Sequence, residues 1–152
     1  MTAPARDQVF ISYSHKDKKW LDRLETHLKP RIRNGKVNVW NDQRLKAGEE
    51  WRKEIDEALA RAKVAVLLVS PHFLASDFIA NDELPPLLEA AKQGGVKILW
   101  VPVSTAAFKE AKIDIYQAVL DPIKPLDKHH HAHVSDAMEK ICNAISQAFS
   151  AT

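Results

Sequence analysis

The chain is expected to fold as one parallel α/β domain, a flavodoxin-like five-stranded sheet with helices on both faces. Three observations lead there. Short apolar runs alternate with amphipathic stretches, and the runs are apolar on both faces, as strands buried in a parallel sheet must be. The connections are short, and parallel strands joined through helical crossovers place those helices on the two faces. The length of 152 residues, 45% hydrophobic, suits a single core built without disulfides or metals.

The elements follow in order. Residues 9–13, VFISY, read as the first strand. Trp20, Leu21, Leu24 and Leu28 then recur at helical spacing, giving a helix over residues 17–28 that Pro30 is expected to stop. A short strand at 37–40 leads into a polar loop at 41–48. Trp51, Ile55, Leu59 and Ala62 line one face of a second helix. The six apolar residues 64–69 form the third strand, bounded by Lys63 and by Ser70-Pro71. A helix at 83–93 has Pro85 and Pro86 in its first turn, so Glu83 should sit at or just before its N-terminus, and Gly94-Gly95 ends it. Residues 96–103 are the fourth strand. Weaker signals at 106–112 and 115–120 precede a candidate edge strand at 123–126. Ser135 is expected to cap a last helix with Met138, Ile141, Cys142, Ile145 and Phe149 on its apolar face.

Composition removes several classes of function. Lys and Arg number 22 against 20 Asp and Glu, a net charge of +2 with no basic block, so no direct nucleic-acid partner is expected. No segment reaches the ~18 consecutive apolar residues that span a bilayer, so no membrane partner is expected either. The single Cys142 excludes an internal disulfide and suits a reducing compartment, making the cytoplasm the expected location. Four glycines, at 35, 48, 94 and 95, form neither a G-x-G-x-x-G turn nor a P-loop, so a dinucleotide-dependent redox enzyme and a kinase are excluded.

The most informative segment is residues 64–83, VAVLLVSPHFLASDFIANDE, which sets Glu83 beyond the exit of a buried strand. Ligands of open α/β sheets gather outside strand C-termini, so a carboxylate there is a candidate site. Taken alone, Glu83 reads first as an acid that favours a helix N-terminus, an effect of about 0.3–1 kcal/mol. The neighbouring Asp82 should point elsewhere on a helical turn. His129, His130, His131 and His133 resemble a metal cluster, but adjacent residues converge poorly on one ion and no metal is expected. Ser12, Ser14, His15 and Asp17 contain the letters of a hydrolase triad, yet they crowd one strand end and no G-x-S-x-G elbow exists.

Three separated segments together suggest a family: VFISYSHKDKKW at 9–20, VWNDQRLKAGEEW at 39–51 and SPHFLASDFIANDEL at 70–84. In order and spacing they resemble the motifs of a Toll/interleukin-receptor (TIR) domain of bacterial type, over residues 8–149. The domain is assigned to residues 8–150 after a disordered lead at 1–7, with a C-terminal sensor domain expected if the chain belongs to a longer protein. The resemblance implies the flavodoxin-like sheet inferred above. It also implies one of two functions. Some members only associate with other TIR domains as adaptors; others hydrolyse NAD+ between nicotinamide and ribose, using one glutamate and no further cofactor. Glu83 stands where that glutamate falls, so the resemblance favours the NAD+ hydrolase, releasing nicotinamide with linear or cyclic ADP-ribose, activated by homotypic assembly and serving bacterial defence or cell death. By the same resemblance the substrate is flanked by Tyr13, Ser14 and His15 and by the loop holding Asp42, Arg44, Leu45 and Gly48. Many members carry Trp four residues before the glutamate. This chain has Ile79 there, with Phe78 and Phe73 nearby as aromatic alternatives for stacking, while Trp40, Trp51 and Trp100 read as core.

Overall fold

The computed structural model describes residues 5–40 and 51–151, apart from the side chains of Trp51 and Arg52. These residues form a five-stranded, wholly parallel sheet in the order β2-β1-β3-β4-β5. The strands are β1 (Gln8–Ser12), β2 (Val39–Trp40), β3 (Ala62–Val69), β4 (Lys97–Pro102) and β5 (Gln117–Ala118). The long helices are α1 (Lys18–Arg33), α2 (Trp51–Arg61), α4 (Leu84–Lys92) and α5 (Val134–Ser150), with the short α3 (Pro71–Ala75) directly after β3. This is the flavodoxin-like α/β fold expected.

The period of two along each strand divides the core in half. Val9, Ile11, Val64, Val66, Leu68, Leu99 and Val101 face α1 and α5, where Leu21, Leu24, Leu28, Met138, Ile141 and Ile145 cover them. Phe10, Ala65, Leu67, Val69, Ile98 and Trp100 face the other way, under Ile55, Leu59, Phe73, Leu84 and Leu87. Each fully buried Leu, Ile or Val contributes about 1.5–3 kcal/mol, so the two layers supply the main stabilisation. Trp100 is core as expected, its indole N–H donating to the Tyr116 carbonyl at 3.1 Å. Trp40 is half-buried and stacks on Phe10 at 5.3 Å. The side chain of Trp51 lies outside the described residues.

Several boundaries differ from expectation for local reasons. Pro30 does not stop α1, which runs one turn further to Arg33. A proline that late removes a single backbone bond, and Arg31 holds the final turn by donating to the His27 carbonyl at 3.0 Å and to Asn143 Oδ1 on α5 at 2.8 Å. The fifth strand is Gln117–Ala118, paired with Leu99 and Trp100, instead of residues 123–126. Ile123 is 83% exposed, because Leu126, not Ile123, supplies the buried side chain of that stretch. The last helix starts at Val134 with His133 as N-cap, so Ser135 lies inside its first turn. After α4, Gly94 takes φ +80°, and the amides of Gly94 and Gly95 return to the Ala91 and Ala90 carbonyls, which is how this glycine pair ends the helix.

Candidate functional site

Chain order and strand order part company at β1. The path goes from β1 outward to β2, then crosses back to β3 on the other side, making β1/β3 the topological switch point where open α/β sheets bind ligands. Both strands end in serine, Ser12 closing β1 and Ser70 following β3, and both serines are buried. Alternation sends them to opposite faces: Ser12 continues the Phe10 side, under α4, and Ser70 continues the Leu68 side, under α1.

Each serine meets a buried carboxylate. Ser12 Oγ donates to Glu83 Oε1 at 2.6 Å, joining the end of β1 to the start of α4. Ser70 Oγ donates to Asp17 Oδ2 at the head of α1 and accepts from the Phe73 amide at 3.0 Å, which caps α3. Ser12, Asp17, Ser70 and Glu83 are the only buried polar or charged residues among the described residues, and all four gather at the carboxyl edge of β1 and β3. A buried carboxylate is costly unless it is hydrogen-bonded, so two at one sheet edge mark where this chain departs from plain core packing.

The approach to Glu83 is unusual. Residues Ile79–Glu83 form a π-helical turn running straight into α4, with the Leu84 amide reaching five residues back to the Ile79 carbonyl. Glu83 is the N-cap of α4, as the sequence led us to expect, and Pro85 and Pro86 occupy the first turn. Such wide turns recur at functional sites.

The remaining candidates are distributed unevenly. Ser14 caps the short 3-10 turn His15–Asp17, accepting from the Lys16 amide at 3.3 Å, and His15 is exposed with its ring 5.6 Å from that of Tyr13. Tyr13 is buried on the α1/α5 side, opposite to Ser12. Phe73 and Ile79 are both buried in the core beneath α4, so their packing is accounted for without a ligand, whereas Phe78 is half-buried. Asp42, Arg44, Leu45 and Gly48 lie outside the described residues. The histidines near the C-terminal helix serve local turns: His129 Nδ1 bonds the Pro125 carbonyl at 3.0 Å, and His130 Nδ1 accepts from the Ala132 amide at 3.2 Å. Cys142 is fully buried, and burial pushes its thiol up to about 12, so it is no nucleophile.

Sequence reasoning reaches Ser12 and Asp17 only as letters of a dismissed hydrolase triad, and it misses Ser70 and the carboxylate partners of both serines. A signal was present: each serine terminates an apolar run, VFIS and VAVLLVS, where a further apolar residue would have continued the core.

Fold and site together define a doubly wound α/β domain with a buried, hydrogen-bonded glutamate at its switch point. The chain belongs to the TIR domain family, whose pattern matches residues 9–145. It is 29% identical over 140 residues to an uncharacterised protein of Sinorhizobium fredii (strain NBRC 101917 / NGR234), covering 92% of this chain and 43% of that protein. It is 34% identical over 70 residues to the 2′ cyclic ADP-D-ribose synthase BtTIR of Bacteroides thetaiotaomicron, covering 45% of this chain and 23% of the relative. It is 31% identical over 106 residues to the NAD(+) hydrolase PdTIR of Paracoccus denitrificans (strain Pd 1222), covering 68% and 34% respectively. The matches thus span less than half the length of each of these relatives. No helix among the described residues is long and apolar enough to cross a membrane.

Proposed function

We propose that this TIR domain cleaves NAD+ at the nicotinamide–ribose bond, with Glu83 as its catalytic carboxylate. The observation that carries the reading is the Glu83 carboxylate itself, buried yet hydrogen-bonded at the switch point, in a family with relatives named for NAD+ hydrolysis and cyclic ADP-ribose synthesis.

The chemistry explains why one acid suffices. A glycosidase acting on an ordinary sugar needs a second carboxyl group to protonate the departing alkoxide. Nicotinamide is cationic in NAD+ and leaves neutral: the bond from C1′ to the ring nitrogen breaks and its electron pair stays on nicotinamide. Positive charge develops on the ribose, and a fixed carboxylate shielded from water stabilises it without reorganising. Water then adds to C1′ and gives up a proton, yielding ADP-ribose; attack by a nucleophile of the same molecule yields a cyclic product instead. No cofactor takes part. His15 and Ser14 would border the ribose, and the half-buried Phe78 would stack on a base.

Activity is proposed to depend on association with other TIR domains, residues 42–49 of a neighbouring copy completing the pocket. NAD+ depletion would then serve a bacterial defence or cell-death response. Purified protein assayed for nicotinamide release over a wide concentration range tests the reading. Wild type is expected to release nicotinamide with a rate per molecule that rises with concentration, and Glu83→Gln to release none. Equal release by both proteins would remove Glu83 from the chemistry, and silence from wild type at high concentration would favour an adaptor.

A further inference from the structure

We propose that Pro85 and Pro86 are positioning residues that aim the Glu83 carboxylate by forcing the helix ahead of it into a π turn. The consequence for catalysis rests on the reading of Glu83 given above; the geometric claim does not.

The helix begins with ordinary spacing, the Ala80 amide donating to the Ser76 carbonyl four residues back at 3.0 Å. It then widens, and the Leu84 amide bonds to Ile79, five back. The next two residues are prolines. In an uninterrupted α-helix their nitrogens would donate to the carbonyls of Asn81 and Asp82; prolines have no such proton, and their rings collide with those same carbonyls. Taking one more residue into the turn relieves both conflicts.

That extra residue decides which side chains face the sheet. At about 100° per residue, Ile79 and Leu84 would stand roughly 140° apart around an α-helix. Bonded across a π turn they come much closer to one side of the helix, and Ile79, Glu83, Leu84 and Leu87 are all buried together. Glu83 thereby reaches Ser12 while its hydrophobic neighbours keep their places in the core. Both prolines are exposed, so no packing requires them, and their removal leaves the buried surface intact.

The test is a thermal-unfolding cycle of four proteins: wild type, Ser12→Ala, Pro85→Ala/Pro86→Ala, and the triple variant. In wild type, loss of the Ser12 hydroxyl is expected to lower Tm by roughly 3–12 °C, since it strips a buried carboxylate of a charge-assisted bond. In the alanine background the helix is free to return to α spacing, Glu83 swings off Ser12, and the same substitution is expected to lower Tm by less than about 2 °C. An equal drop in both backgrounds would overturn the proposal, because the turn would then persist without its prolines. Pro86→Ala alone repeats the comparison with one ring restored. In the nicotinamide-release assay the double alanine variant is expected to lose about tenfold in kcat with KM unchanged. Wild type that cleaves no NAD+ would sink the catalytic reading alone, leaving the unfolding cycle to judge the geometry.

Discussion

Replacing Ser12 by alanine isolates the contact on which the site depends. Ser12 is 1% and Glu83 6% exposed, and the hydroxyl of one lies 2.6 Å from the carboxylate of the other, so water does not readily substitute for it. A hydrogen bond to a charged group is worth about 1.5–3 kcal/mol. If the bond is equally needed to hold Glu83 for chemistry, kcat falls by about 10- to 150-fold, at 1.4 kcal/mol per factor of ten. On the proposed reading KM should change little, because the hydroxyl is spent on Glu83. Steady-state nicotinamide release at saturating NAD+ gives kcat, and unfolding monitored by circular dichroism checks that the variant is folded. Ser12→Thr keeps the oxygen and suits a strand, so it should recover most of the rate. A Ser12→Ala enzyme with full kcat, or a Ser12→Thr enzyme as slow as alanine, would refute the argument that this hydroxyl orients the carboxylate.

Two further outcomes are expected. The hydrogen bond from His27 and then that from Arg31 hold the Glu139 carboxyl below its ordinary 4.5, and a group with a depressed folded-state value stabilises above the unfolded value and loses that contribution as pH falls through the folded one. Glu139 is about half exposed, so Glu139→Gln should cost only about 0.2–1 kcal/mol at pH 7, and the difference in Tm from wild type should close below pH 4.5; a gap that widens in acid would reverse the assignment. Cys142, with its thiol raised to about 12 by burial, should resist iodoacetamide at pH 8 in the native protein and react once urea unfolds it; rapid native labelling, read by mass spectrometry, would contradict its burial.

Much of the architecture was legible because it rests on local signals. Apolar runs buried on both sides mark β1, β3 and β4, helical spacing marks α1, α2 and α5, and the glycine pair after α4 marks its end. Glu83 could be placed at the head of α4 because two prolines are tolerated in a first helical turn. The short β5 escaped because Gln117-Ala118 carries no large apolar side chain, whereas the equally short β2 shows Val39 and Trp40. Pro30 misled because a proline's cost is weighed against contacts from another helix, here α5, which no local window contains.

The sequence by itself therefore determined the layers, the order of elements and the acid at the sheet's edge, all consequences of periodicity and backbone chemistry within a few residues. Only the tertiary structure decided what that acid touches. Ser12 and Glu83 are 71 residues apart and meet because β1 and β3 pair in parallel at the switch point, Ser12 then lying on the face that α4 covers. The same pairing brings Ser70 to Asp17 on the opposite face, 53 residues apart. Side-chain alternation could assign each serine to a face, but which helix covers that face follows from how the crossovers pack, and that is fixed by the whole core at once.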